Sequence, residues 1–121
     1  MQDEVKRENW TEYFKEFSKR NQGRPTKLEV LGELGVQPEE QHLPFAGISV
    51  EDSGKDAPRI EIMLGGAAAD PRHLTHTITR VSHVIQKLGA AGSDDAIEFE
   101  DAGGCKTILQ FEVLAELKAS S

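Results

Sequence analysis

The chain has 121 residues and a formal net charge of -7, a length that suits one domain able to bury about 65% of its unfolded surface without a metal or disulfide. The single cysteine cannot form an intramolecular disulfide, and the polar N-terminus lacks the basic and apolar regions of a secretion signal, so we expect a cytoplasmic protein. The longest apolar run is far shorter than the ~20 residues of a membrane-spanning helix, so we expect no membrane association.

The charge is unevenly distributed along the chain. Residues 1–27 carry seven Lys/Arg and five Asp/Glu, whereas residues 28–121 carry seven and sixteen. Such an acidic body repels phosphate backbones, and no aromatic or arginine stripe interrupts the acidity, which argues against nucleic-acid binding. The basic N-terminal segment could lie against the acidic body, and the remaining charges are typical of a solvated surface.

The first predicted element is a helix at about residues 10–21. Asn9 and Glu12 have the spacing of a capping box, in which the Asn9 side chain accepts a hydrogen bond from an early backbone N–H and the Glu12 carboxylate accepts one from the backbone N–H of Asn9. Gly23 can adopt the left-handed conformation that ends a helix, and Pro25 prevents continuation.

Four of the seven aromatic residues form one stripe on this helix, namely Trp10, Tyr13, Phe14 and Phe17. The stripe could pack on a sheet or form an interaction face for a partner. Core packing is favoured, because a small sheet with one open face needs a cover and aromatic burial stabilises it by several kcal/mol.

Alternating apolar residues predict strands in the body of the chain, at about residues 26–112. Leu28 and Val30 lie in a first strand, and Val36–Pro44 is predicted to be loop. A strand around Ile48 and Val50 and a second strand at Arg59–Leu64 are joined by turn residues, which predicts a hairpin.

A later hairpin is predicted from Ile97–Glu100 and Thr107–Phe111, which flank the glycine-containing turn Asp101–Gly104. The small residues Gly65–Ala69 are predicted to be a linker inside the domain, and the tail at 113–121 to be a short helix or a frayed end.

The segment Asp70–Leu88 has two interpretations. Its apolar residues also recur every three or four positions, which is typical of a helix. Its high content of Thr, Val and Ile favours two strands instead, since β-branched side chains fit a pleated surface better.

Several stretches together resemble an uncharacterised family of small bacterial proteins known only as a domain of unknown function. They are Trp10–Phe14 with Phe17-Ser18, Glu29–Gly32, Leu43-Pro44, Gly47-Ile48, His73–Ile78 and Ala96–Glu100. The resemblance covers nearly the whole chain and implies a bacterial, cytoplasmic, single-domain protein with no assigned catalytic residues. Members often have proline where this chain has Val81, which implies strands in the ambiguous segment.

His73, His76 and His83 lie within eleven residues and are the candidate metal ligands. If the two strands paired as a hairpin with Ile78 opposite His83, then His76 and His83 would be diagonal neighbours on one face. A further ligand would have to come from Asp70, Asp94 or Asp95. The alternative is that these are ordinary strand histidines.

Other constellations give weaker signals. Cys105 has no base nearby in sequence, so a small half-buried strand residue is favoured over a nucleophile. The glycine-rich segments lack phosphate-loop spacing, and the acidic residues of 94–101 lack the spacing of a calcium loop.

The sequence therefore predicts an α+β domain. An N-terminal amphipathic helix packs on a curved antiparallel sheet of six or seven strands, which could form a small open barrel. We expect a non-enzymatic binding module without cofactor that contacts an unknown protein partner, or a second copy of itself through an exposed sheet edge or the helix. The alternative is a metal-binding protein or metal-dependent enzyme that uses His73, His76 and His83.

Overall fold

The computed structural model describes residues 2–32, 35–67, 70–89 and 92–112, and within these ranges it leaves out the side chains of 35–42, 67, 70 and 71. The predicted tail at 113–121 and the last two residues of the predicted linker, Ala68 and Ala69, lie outside the described residues.

The described residues form one helix and one sheet of eight antiparallel strands. Helix α1 spans Trp10–Arg20 and follows a single 3-10 turn at Arg7–Asn9. The strands are β1 (Gln2–Glu4), β2 (Pro25–Gly32), β3 (Gly35–Glu51), β4 (Arg59–Ala67), β5 (Asp70–Ile78), β6 (Val81–Leu88), β7 (Asp94–Asp101) and β8 (Lys106–Phe111). Their order across the sheet is β1-β6-β7-β8-β2-β3-β4-β5.

The α+β prediction is confirmed, but the strand count of six or seven is too low, and the sheet is open rather than a closed barrel. One added strand is β1, whose three residues are polar and exposed and so carry no alternating signal. The predicted loop Val36–Pro44 is also wrong, because β3 begins at Gly35 and pairs with β2 along this stretch.

The predicted helix bounds are confirmed to within one residue, but the capping box is wrong. The side chain of Asn9 makes no capping hydrogen bond, because its backbone already belongs to the 3-10 turn and donates to the carbonyl of Lys6. Gly23 does adopt the left-handed region, at φ 80°, and its N–H donates to the carbonyl of Phe45 at 2.9 Å.

The aromatic stripe lies in the core. Trp10, Phe14 and Phe17 are at most 2% exposed. The ring of Phe17 packs against Phe45 of β3 and Phe111 of β8, with centroids 5.6 and 5.7 Å apart. These three rings therefore pack in the core between the helix and the sheet and are not exposed on the surface of the chain.

Segment 70–88 forms two strands, as predicted, but they do not pair with each other. β5 pairs with β4, and β6 pairs with β1 and β7. The link Thr79-Arg80 is held on the β3–β4 loop, where the backbone N–H of Arg80 donates to Asp56 and that of Val81 donates to Pro58. These two hydrogen bonds hold the link at the β3–β4 loop. The chain then continues from β5, at one end of the sheet, to β6 near the other end, and the two strands form no hairpin.

Cations of the N-terminal segment contact the acidic body. The guanidinium of Arg7 lies 2.6 Å from the carboxylate of Asp52, and that of Arg20 lies 3.0 Å from Asp94. The expectation that the basic segment lies against the acidic body is confirmed at these two contacts.

Candidate interaction site at the edge of the sheet

The glycines at the end of β4 determine where β5 can begin. Gly65 has φ 91°, and a Cβ there would lie 1.9 Å from the carbonyl oxygen of Arg72. Only glycine allows this close approach of the two backbones. The pairing shifts register here, between Gly65 opposite His73 and Ala67 opposite Asp70. The sequence thus forces a bulge, which is a common device at sheet edges.

From this bulge onward, β5 alternates between the two faces of the sheet. His73, Thr75 and Thr77 are exposed and lie opposite Gly65, Met63 and Glu61 of β4. The intervening residues face the core: Ile78 is buried, and Leu74 packs partly against the core cluster. One face of β5 therefore anchors the strand, while the other presents polar side chains to solvent.

The described sheet edges differ in how they are covered. Edge strand β1 covers part of β6, with Asp3 opposite Gln86, and the adjoining Val5 N–H donates to the carbonyl of Val84 at 2.8 Å. Strand β5 is last in the sheet order at the opposite end and pairs with β4.

The second half of β3 extends beyond its pairing with β2, and helix α1 covers it there. The hydroxyl of Ser18 accepts a hydrogen bond from the backbone N–H of Ile48 at 3.0 Å, and the side-chain amide of Gln22 donates to the carbonyl of Ala46. A helix thus satisfies backbone groups that a neighbouring strand would otherwise pair.

These contacts distinguish β5 from the other edges. It is nine residues long, whereas β1 has three. In the part of the chain that the structure describes, no strand pairs with the side of β5 that faces away from β4. We call this side the β5 edge. A strand edge of this length is a template for main-chain pairing with another extended segment.

The structure does not bring the three candidate histidines together. His73 and His76 project from opposite faces of β5, opposite Gly65 and Ile62. His83 lies on β6, where its Nδ1 is 2.9 Å from the carboxylate of Glu4. This hydrogen bond, and then the charge of Glu4, raise the pKa of His83. Among the described residues, no three His, Cys, Asp or Glu side chains form a group that could hold a metal ion.

Two of the proposed additional ligands, Asp94 and Asp95, lie at the start of β7. Asp94 is 6% exposed and accepts hydrogen bonds from Arg20 and Asn21. Asp95 is exposed beside Gly89, and the side chain of Asp70 lies outside the described residues. The carboxylate of Asp94 therefore belongs to the junction between α1 and the sheet.

Cys105 is half-buried, as the sequence predicts, but it lies immediately before β8 rather than in a strand. Burial, and then the charge of Asp101, raise the pKa of its thiol. Both effects oppose formation of the thiolate that a nucleophile requires.

Tyr13 holds a buried hydroxyl between the helix and the sheet. This oxygen has no hydrogen-bond partner among the described residues. Burial, followed by the negative charge of Asp94, raises the pKa of Tyr13 to about 12. The positive charge of the Arg20 guanidinium favours the ionised phenol and so lowers this pKa.

A shallow groove of about 410 Å³ lies beside the bulge, between Gln22-Gly23, Pro44–Ala46 and Gly65-Gly66. The residues that line it in the described part of the chain carry no charged side chain, and the Gln22 amide already donates to the carbonyls of Ser18 and Ala46. The groove offers less to orient a ligand than the β5 edge does.

The described residues form an α+β domain whose open sheet ends in the nine-residue strand β5. The chain belongs to the family described as "Family of unknown function (DUF5335)", whose model matches residues 1–120 and confirms the resemblance seen in the sequence. No curated protein and no solved structure matches it. Among the described helices, none is long and apolar enough to cross a membrane.

Proposed function

We propose that this chain is a small non-enzymatic interaction module of the bacterial cytoplasm, which binds another protein through the β5 edge. The supporting observation is the contrast between edges: β1 covers part of β6 and α1 covers the end of β3, whereas nine-residue β5 pairs with β4 alone among the described strands. Main-chain hydrogen bonds along such an edge supply affinity, and the exposed side chains supply specificity.

The aromatic helix does not compete for this role, because its stripe is buried. The alternative, a metal site at His73, His76 and His83, lacks a supporting observation of this kind, since these side chains lie on opposite faces of β5 and on a different strand. The exposed Thr75 and Thr77 are the best reporters of the β5 edge, because neither belongs to the core.

Site-specific photo-crosslinking in the producing cell tests the proposal. A photoreactive amino acid at Thr75 or Thr77 should form an adduct with another protein, whereas the same group at exposed Glu12 of α1 should not. The identified protein, once purified, should shift the amide resonances of residues 72–78 in the isotopically labelled chain. Resonance changes confined to α1 or β1, or adducts at residue 12 only, would contradict the proposal.

A further inference from the structure

The groove beside the bulge has walls whose backbone is held in place. The N–H of Gly23 donates to the carbonyl of Phe45, and the N–H of Phe45 donates to the carbonyl of Arg24, both at 2.9 Å. These two bonds fix the turn after α1 on β3, and Gly65 and Gly66 of β4 complete the lining. The groove of about 410 Å³ is therefore a preformed feature of the fold.

The surface of this groove suits an apolar side chain better than a polar one. Pro44, Phe45 and Ala46 line it from β3, and its described lining residues include no lysine, arginine, aspartate or glutamate. The Gln22 amide, which also lines it, already donates to the carbonyls of Ser18 and Ala46. An apolar side chain that enters the groove therefore leaves water without displacing a charge.

The last described residue of the chain lies close to this groove. The N–H of Glu112 donates to the carbonyl of Pro25 at 3.0 Å, and Pro25 lies opposite Pro44 in the pairing of β2 with β3. Neighbouring strands are about 4.8 Å apart, so Glu112 lies two strand spacings, about 10 Å, from Pro44 at the edge of the groove. The chain after residue 112 therefore begins within a short distance of an apolar surface.

Residues 113–121 supply apolar side chains that could enter the groove. The large ones are Val113, Leu114 and Leu117, and the segment carries one acidic and one basic side chain. An extended chain advances at most about 3.5 Å per residue, so from Glu112 the backbone of Leu114 reaches about 7 Å and that of Leu117 about 17 Å. The backbone of Leu117 can thus arrive at the groove, whereas that of Leu114 stops before its edge.

Attachment to the same chain favours this segment over a separate ligand. A tethered segment meets its site at an effective concentration that is in the millimolar range for short flexible linkers. A free peptide, in contrast, loses its translational and rotational freedom when it binds. A groove that is too small to hold a separate peptide tightly can therefore hold a segment of its own chain.

From these observations we infer that residues 113–117 run from the end of β8 past the start of β2 and place the side chain of Leu117 in the groove. The groove is then an intramolecular docking site that fixes the chain after β8. The inference does not depend on the proposed function, because this site lies on β3, β4 and the turn after α1 rather than on the β5 edge.

Nuclear Overhauser spectroscopy of the isotopically labelled full chain tests the inference. Cross-peaks should join the methyl groups of Leu117 to that of Ala46, because apolar side chains in contact approach to about 4 Å. Leu117→Ser should shift the amide resonances of residues 22–23, 45–46 and 65–66. Lys118→Ser changes the adjacent polar side chain and should leave those resonances in place.

A variant of the groove itself gives an independent readout. Ala46→Leu enlarges a half-buried side chain that lines the groove, so it should exclude Leu117 and move the Leu117 methyl resonances to the values of an unfolded chain. Ala102→Leu makes the same change at an exposed turn position and should leave them unchanged. Circular dichroism of each variant checks that the fold is intact.

Four results would overturn the inference. Leu117 methyl resonances at unfolded-chain values in the wild type, or groove amides that are identical in Leu117→Ser and the wild type, would show that the groove does not hold the segment. Cross-peaks from Leu114 to Ala46 in place of Leu117 would reject the assigned residue. Cross-peaks found only between labelled and unlabelled molecules of a mixed sample would identify the segment of a second copy as the occupant.

Discussion

At the scale of single residues, burial changes the energetics of a polar side chain, and Tyr13 is the clearest example. Tyr13 has a phenol oxygen that is enclosed without a hydrogen-bond partner among the described residues. A polar group in such a position loses its hydration and receives no bond in return. Its hydroxyl is therefore a cost to the folded state, although its ring packs against Phe14 and Phe17 at 5.6 and 5.7 Å.

Tyr13→Phe should therefore leave the free energy of unfolding unchanged or raise it by up to about 1 kcal/mol. The wild-type pKa of about 12 exceeds the value of about 10 expected for unfolded tyrosine. The folded state then holds the proton more strongly, so this contribution to stability is complete below pH ~10 and is lost as the pH rises through 12. Urea unfolding between pH 9 and 12 measures this effect. The free energy of unfolding should fall less steeply with pH for Tyr13→Phe than for the wild type. A destabilisation above ~1 kcal/mol would show that the hydroxyl makes a favourable contact.

His83 and Glu4 give a second prediction at this scale. Glu4 raises the pKa of His83, so the protonated imidazole favours the folded state. That contribution is fully present below the unfolded pKa of ~6.5 and is lost as the pH rises through the higher folded value. Glu4→Gln should lower the pKa of His83 in an NMR titration. Glu8→Gln, an exposed change in the 3-10 turn, serves as the control. An identical His83 pKa in the wild type and Glu4→Gln would mean that β1 is not held by this pair.

At the level of elements, the end of α1 is fixed to the sheet through Asp94. This buried carboxylate accepts from Arg20 and from the side-chain amide of Asn21, while Arg24 donates to the Asp94 carbonyl at 2.9 Å. Asp94, at the start of β7, thus accepts hydrogen bonds from the end of the helix and from the turn that leads into β2. The helix orientation depends on this group as well as on the aromatic stripe.

Asp94→Ala should lower the free energy of unfolding by about 2 kcal/mol. Breaking a buried ion pair costs about 3–5 kcal/mol, but the Arg20 side chain is 47% exposed and can be rehydrated. Asp95→Ala changes the adjacent exposed carboxylate and should cost less than about 0.5 kcal/mol. Equal denaturation midpoints for the two variants would contradict a special role for Asp94.

Elements with local signals could be predicted from the sequence, and elements without them could not. The helix and the strands of β4, β7 and β8 have clear apolar periodicity, and the β-branched content of 70–88 correctly indicates two strands. β1 has three exposed polar residues, so nothing local distinguishes it from a tail. The first half of β3 contains Pro38, Glu39 and Glu40, which are typical of loops, and its pairing with β2 overrides that preference.

At the scale of the whole molecule, the sequence could not predict which strands pair with each other in the sheet. Alternation identifies a strand but not its neighbour, so a hairpin of β5 and β6 was considered only as one possible arrangement of the histidines. An exposed sheet edge was expected, but the strand that forms it could not be predicted, because an edge strand is defined only once the strand order is known. The buried aromatic stripe, in contrast, follows from helical spacing alone.

The core joins the helix to both halves of the sheet through Phe17. Phe17→Ala removes a fully buried ring that touches β3 and β8, and should lower the free energy of unfolding by about 3–5 kcal/mol. Glu16→Ala, one position earlier and exposed, should change it by less than about 0.5 kcal/mol. Guanidinium denaturation measures both. A small effect of Phe17→Ala would show that the sheet holds together without the helix.

The position of β8 in the sheet also has a consequence for synthesis. Its pairing partner β2 lies far earlier in the chain, with Thr26 opposite Phe111 and Leu31 opposite Lys106. On the ribosome, β2 must wait until nearly all of the described chain has emerged before this central ladder can close. Such a high contact order places folding in the millisecond-to-second range, and a nascent chain stalled before Lys106 would present β2 and β7 to chaperones.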